Sequence, residues 1–133
     1  IGPFAFDGCS NLLFVVLPEG LLRLEDFAFS GCTSFRGEIV IPTSVQYMGD
    51  GIFYRCRSLE SVVFVPTTNV VELSMGMFVD CSDLRFVTLP LNLRCIPWGC
   101  FQNCTSLTHL LIPESVEQIE EDAFRGSGIQ AMN

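Results

Sequence analysis

The stretch "IPTSVQYMGDGIFYRCRSL", Ile41 to Leu59, joins a proline behind a β-branched run to an apolar pair, Val45 and Met48, and to Phe-x-x-Cys at Phe53/Cys56. Read once, this is a weak pattern. It gains force because the same residue types return at the same offsets along the chain. Phe-x-x-Cys recurs at Phe6/Cys9, Phe29/Cys32, Phe78/Cys81 and Phe101/Cys104, with Phe124/Ser127 as a degenerate sixth copy. The Phe-to-Phe steps are 23, 24, 25, 23 and 23 residues. Three residues after each cysteine stands Leu12, Phe35, Leu59, Leu84 or Leu107, and the run that follows ends at Pro18, Pro42, Pro66, Pro90 or Pro113. Beyond the proline come the pairs Leu21/Leu24, Val45/Met48, Val70/Leu73, Leu93/Ile96 and Val116/Ile119. A small or apolar residue precedes each following phenylalanine: Ala28, Ile52, Met77, Cys100 and Ala123.

One apolar set per 23 to 25 residues cannot close a core by itself, so each coil must stack on its neighbours. The expected fold is a repeat solenoid over residues 1–133: one domain of about five and a half right-handed coils with a parallel β-sheet on one face. Five strands at about 4.8 Å per coil would make that sheet about 20 Å wide. The proline after each strand removes a ladder donor and turns the corner. The Ala-Phe-x-x-Cys segment reads as a helical or 3₁₀ turn with its ring between layers. Extra residues before Pro42 and around Pro66 leave open whether Val62/Phe64 or Val63/Val65 faces inward.

The quoted stretch and "IPESVEQIEEDAFRGSG" (Ile112 to Gly128) resemble the BspA-type subclass of leucine-rich repeats, and the likeness covers nearly the whole chain. That resemblance implies a curved, parallel-stranded solenoid acting as a recognition or adhesion module, in proteins often found at bacterial or protist surfaces. It implies no catalytic residue.

Composition bounds the partners. The chain is 49% hydrophobic and 17% charged, with fifteen acids against seven basic residues, all arginine, and a net charge of −8. Nucleic acid and anionic membranes are poor matches for that surface, and no apolar run approaches the ~20 residues of a membrane span. The chain opens on Ile1 in mid-pattern, and Leu12 and Leu13 lack a covering strand, so further repeats are expected upstream. At the other end Ser127 replaces the cysteine and acids thicken, which suits a capping coil.

Chemically suggestive residues have structural explanations. The cysteines of the Phe-x-x-Cys copies fall at one position of the coil and read as small core groups with free thiols, which fits a reducing compartment. Cys95, Cys100, Cys104 and His109 have metal-ligand spacing. Their coil positions, however, send Cys104 inward and His109 outward, so no metal site is expected. Glu117, Glu120, Glu121 and Asp122 lack the alternating oxygen pattern of a calcium loop. Asn103-Cys104-Thr105 is a formal glycosylation sequon whose centre is a core rung. No cofactor motif is present, and His109 is the only imidazole on which nucleophilic catalysis could draw.

Function is therefore expected on the outward strand positions: Phe14 and Val16, Glu38 and Val40, Ser61 and Val63, Phe86 and Thr88, His109 and Leu111. Aromatic and β-branched residues with few charges suit partner binding, with a protein or a glycan as the partner class. Two other readings are a carbohydrate-active enzyme on a parallel β-helix and a structural spacer. The enzyme needs convergent carboxylates from adjacent coils. The residue pairs between Phe and Cys, such as Tyr54-Arg55 and Gln102-Asn103, supply none in register.

Overall fold

The computed structural model describes residues 1–67, 69 and 71–129. Val70 of the predicted apolar pairs lies outside them. The seven strands are β1 (Arg23–Leu24), β2 (Gly37–Ile41), β3 (Tyr47–Met48), β4 (Leu59–Phe64), β5 (Phe86–Thr88), β6 (Cys95–Ile96) and β7 (Gln118–Ile119). Every pairing between them is parallel. The chain winds as a solenoid in which β2, β4 and β5 form the main sheet, while β1 with β3 and β6 with β7 form two short ladders behind the prolines.

The main sheet has three strands rather than the five expected. Residues 12–17 and 107–112 keep the in-and-out alternation of their neighbours without a strand assignment. Between β2 and β4 the ladder shifts register after Gly37, which sits at φ +78°: Gly37 lies beside Leu59 and Glu38 beside Ser61, which leaves Glu60 unopposed in β2. Only glycine enters that backbone region without strain. Beyond this shift the register is regular, with Ile39 beside Val62 and Ile41 beside Phe64. Val62 and Phe64 therefore face the core and Val63 faces out, which settles the register.

The second face was not foreseen as strand. Behind Pro18, Pro42 and Pro90 the chain forms a two-residue strand that buries Leu24, Met48 or Ile96, and behind Pro113 one that leaves Ile119 exposed. The third coil breaks this strip, because Pro66 to Leu73 is one residue longer than Pro42 to Met48. There the Ser74 hydroxyl, 2.5 Å from the Met48 carbonyl, donates to it in place of a backbone N–H. In the coil before, Gly49 N–H donates to the Leu24 carbonyl at 2.8 Å. A Cβ on Gly49 would run into the backbone of Glu25 and Asp26. Gly49→Ala should therefore force two coils apart and cost about 1–3 kcal/mol in chemical denaturation, the usual range for overpacking. A change within about 0.5 kcal/mol, the scatter of neutral surface substitutions, would contradict this contact.

On the third face, no described residue of the Ala-Phe-x-x-Cys segments is helical; they are successive β-turns. The hydrogen bonds explain the difference. Alternate N–H groups stay within the segment, as in Ala28 to Glu25, Ser30 to Phe27 and Cys32 to Phe29. Those between them, on Phe27, Phe29 and Gly31, donate to Asp50, Ile52 and Tyr54 of the next coil. A helix would need all of them for itself. Positive φ two residues before the phenylalanine (Phe27, 54°) and two after it (Gly31, 70°) also prevents helix propagation.

These turns carry the core. Phe6, Phe29, Phe53, Phe78, Phe101 and Phe124 form one stacked column with centroid spacings of 5.2, 5.8, 5.7, 5.3 and 5.4 Å. The four inner rings are fully buried. Beside them the Cys32, Cys56, Cys81 and Cys104 thiols each donate to the carbonyl of the phenylalanine one coil back, at 3.0–3.1 Å. That carbonyl already accepts the N–H of its own coil's cysteine, so the thiol fills its second lone pair. Cys9 departs from the expected rung: it is exposed on the first coil.

Candidate binding surfaces

The outward residues of the main sheet form two rows. In one, Glu38 pairs with Ser61 and Ser61 with Phe86; in the other, Val40 pairs with Val63 and Val63 with Thr88. Phe14 and His109 occupy the matching places of the flanking coils in the first row, and Val16 and Leu111 in the second. Phe86 is 69% exposed and Leu111 88%. Phe14, Val16, Glu38, Val40, Thr88 and His109 are also exposed, while Ser61 and Val63 are half-buried. In β2 and β4 the outward side chains alternate with buried inward neighbours, Ile39 and Ile41 in the one and Val62 and Phe64 in the other. Polar contacts along the face are few. Ser61 Oγ donates to Glu38 Oε2 at 3.1 Å, and Thr108 Oγ1 lies 3.0 Å from His109 Nδ1. The second row is aliphatic but for Thr88, and nothing within the described residues covers it.

The metal-ligand spacing does not become a site. Cys100 and Cys104 are buried, Cys95 is half-buried beside Glu120, and His109 is exposed on the strand face. Among the described residues no group of three possible ligands converges. The acidic run is engaged locally: Glu120 Oε2 accepts the Trp98 N–H at 3.0 Å, and Asp122 lies 3.7 Å from Arg125. The sequon residue Asn103 donates from Nδ2 to Asp80 Oδ1 at 2.8 Å. Burial pushes the Cys32 thiol up to about 11 and Cys104 to about 12, and raises Cys56, Cys81 and Cys100 as well. Such thiols are poor nucleophiles at neutral pH. No described helix is long and apolar enough to cross a membrane.

The sequence reading missed a second surface. On the edge of the turn face, Phe27, Tyr54, Met75, Val79 and Trp98 line an apolar groove of about 280 Å³. Its signal was visible only once coil positions were aligned: Phe4 and Phe27 occupy the place taken by Gly51, Gly76 and Gly99 in the next three coils.

Coils of 23–25 residues, a parallel sheet on one face and turns on another, and a core shared between coils define a leucine-rich-repeat solenoid. Residues 1–130 match the BspA type leucine rich repeat region in six copies, and the chain belongs to that family. Solved structures agree. A leucine-rich repeat protein from Eubacterium ventriosum superposes with a TM-score of 0.75 at 27% identity, over 98% of this chain and 41% of that one. One from Bacteroides ovatus gives 0.73 at 27%, over 96% and 38%, and the T. pallidum leucine rich repeat protein 0.67 at 30%, over 90% and 65%. The chain thus spans about two fifths of the length of the first two. No curated protein matches its sequence.

Proposed function

We propose that this domain is a non-catalytic recognition or adhesion module that binds a protein partner on its strand face, through Phe14, Val16, Val40, Ser61, Val63, Phe86, Thr88, His109 and Leu111. One observation carries the reading: an uncovered, largely apolar stripe whose residues are held in register by a buried counterpart row. An extended partner touching several coils would meet rigid side chains, so little entropy is lost on the domain's side. A protein suits the aliphatic second row better than a glycan, which would want more hydroxyl, amide and carboxylate partners than Glu38, Ser61 and Thr88 provide. Thiols buried away from any reactant favour binding over chemistry. The half-covered ring of Phe6 and exposed Leu13 support further coils of the same chain stacking there.

The test is selection of binders from a panel of proteins and glycans on the immobilised domain. Against the binder obtained, Phe86→Ala should weaken affinity by at least about 1 kcal/mol, as loss of an aromatic anchor does, with an unchanged melting transition. Unchanged affinity for Phe86→Ala and for Leu111→Ser, with loss on changing Arg57 or Gln102, would move the site to the turns.

A further inference from the structure

The groove on the turn edge has a specific shape and charge. Reading the residue three before each core phenylalanine, coil by coil, gives Asp26, Asp50, Met75, Trp98 and Glu121. Two apolar side chains, 51% and 45% exposed, are thus bracketed by acids at both ends. One position further on, the Phe4 and Phe27 rings stack at 5.3 Å, and then the column stops. A Cβ at Gly51 would strike the Phe27 ring, whereas one at Gly76 would meet only Val79 Cγ2 at 3.5 Å. The interrupted column leaves the groove between Phe27, Tyr54, Met75 and Trp98.

We propose that this groove docks an extended basic segment of a partner protein, presenting one aromatic side chain between two arginines in the order Arg-x-Phe-x-Arg. The volume of about 280 Å³ falls just below the ~300 Å³ where pockets for whole drug-sized ligands begin, and suits a single large side chain. Its lining is apolar apart from Asp50, which disfavours a sugar or a free ion. An incoming ring would resume the stack that ends at Phe27. Asp50 and Glu121 lie three coils apart in this row, about 14 Å at ~4.8 Å per coil. In an extended peptide, residues i, i+2 and i+4 share one side, and i to i+4 spans about 13 Å. The two arginines therefore reach the acids while the ring enters the groove. Among the described residues, Asp26, Asp50 and Glu121 make no ion pair; the nearby Arg55 is committed to Asp80 at 3.6 Å and lies over the Tyr54 ring. A second copy of this chain, also at −8, would bring acid against acid. The groove is on a different face from the strand stripe, so this proposal stands apart from the function proposed above.

Trp98 is the only tryptophan and lies in the groove, which makes it the reporter. The probe is the capped peptide Ser-Arg-Ser-Phe-Ser-Arg-Ser, titrated at low salt by tryptophan fluorescence and by calorimetry. Saturable binding should weaken at least about tenfold when the phenylalanine becomes serine, and equally when both arginines become glutamate. Gly76→Phe, which copies the phenylalanines tolerated at Phe4 and Phe27, should fill the groove and abolish binding with the melting transition retained. Asp50→Asn should weaken binding and flatten its salt dependence, and serves if Gly76→Phe fails to fold. Equal binding of the serine peptide, binding unaltered by Asp50→Asn and by salt, or absence of binding would each overturn the proposal. So would self-association of the domain that Trp98→Ala abolishes, since a second copy would then own the groove.

Discussion

Phe53→Ala should destabilise the domain by about 3–5 kcal/mol, the range for emptying a buried aromatic site. Phe53 is fully buried at the centre of the column and stacks on Phe29 at 5.8 Å and on Phe78 at 5.7 Å. Alanine would leave a cavity walled by two flat rings, which cannot close without shortening the coil spacing that the hydrogen bonds on either side hold fixed. Because each coil is stabilised mainly through its neighbours, the same change should uncouple the two halves and broaden the denaturant transition. Phe124→Ala supplies the comparison: its ring is half-buried and stacks on Phe101 alone, so its loss should be clearly smaller. A loss under about 1 kcal/mol for Phe53→Ala would contradict a core built on the column.

Alkaline pH should unfold the protein. Cys56, Cys81, Cys100 and Cys104 are fully buried, and burial is the leading cause that raises each thiol above its ordinary value near 9. The sign follows from the neutral form being the one the fold accepts. Below pH 9 both folded and unfolded thiols are protonated, and their contribution is complete. As pH rises further, only the unfolded chain ionises, so each such thiol removes up to about 1.4 kcal/mol per pH unit until its own folded value is reached. The melting temperature should fall steeply between about pH 9 and 11, and Cys81→Ala should make that fall shallower. A flat profile over this range would show that the thiols are not desolvated. Alkylation at neutral pH gives an independent reading. Cys9, exposed, should react first; Cys95, half-buried and raised by burial and by the Glu120 carboxylate, should follow slowly; the remaining five should wait for denaturant.

Position within the repeat was the legible quantity. Once Phe-x-x-Cys set the frame, the inner core rings, the Cys32, Cys56, Cys81 and Cys104 thiols and the outward strand residues followed, because a stacked coil forces equivalent residues into equivalent surroundings; Cys9, on the first coil, did not. What the frame could not supply was how backbone polar groups are shared between coils. The turn at Phe27–Cys32 reads in sequence as a helical or 3₁₀ turn, yet its N–H groups alternate between its own coil and the next, and only the stacked assembly reveals that. The short strands behind the prolines were hidden for the same reason, since two residues carry no periodicity. Val62 against Val63 was undecidable until the register shift after Gly37 set Ile39 beside Val62 and Ile41 beside Phe64. The groove escaped because it is made by missing side chains: Gly76 and Gly99 stand where Phe4 and Phe27 stand in the first two coils.

The alternating bonds have a consequence for the electrical character of the whole coil stack. On the turn face, Phe29 and Gly31 donate forward to Ile52 and Tyr54, so these amide dipoles share one sense along the axis. Behind the prolines the sense reverses: Gln46 and Gly49 donate back to Leu22 and Leu24, and Glu117 and Glu120 to Arg94 and Ile96. The two faces oppose one another only in part, because among the described residues the third coil has no reversed backbone bond behind its proline, and the Ser74 hydroxyl stands in for it. An α-helix accumulates a positive and a negative pole as it lengthens because all its amides point one way, whereas here that alignment is confined to the turn face, where Phe27, Phe29 and Gly31 and their equivalents donate forward from coil to coil.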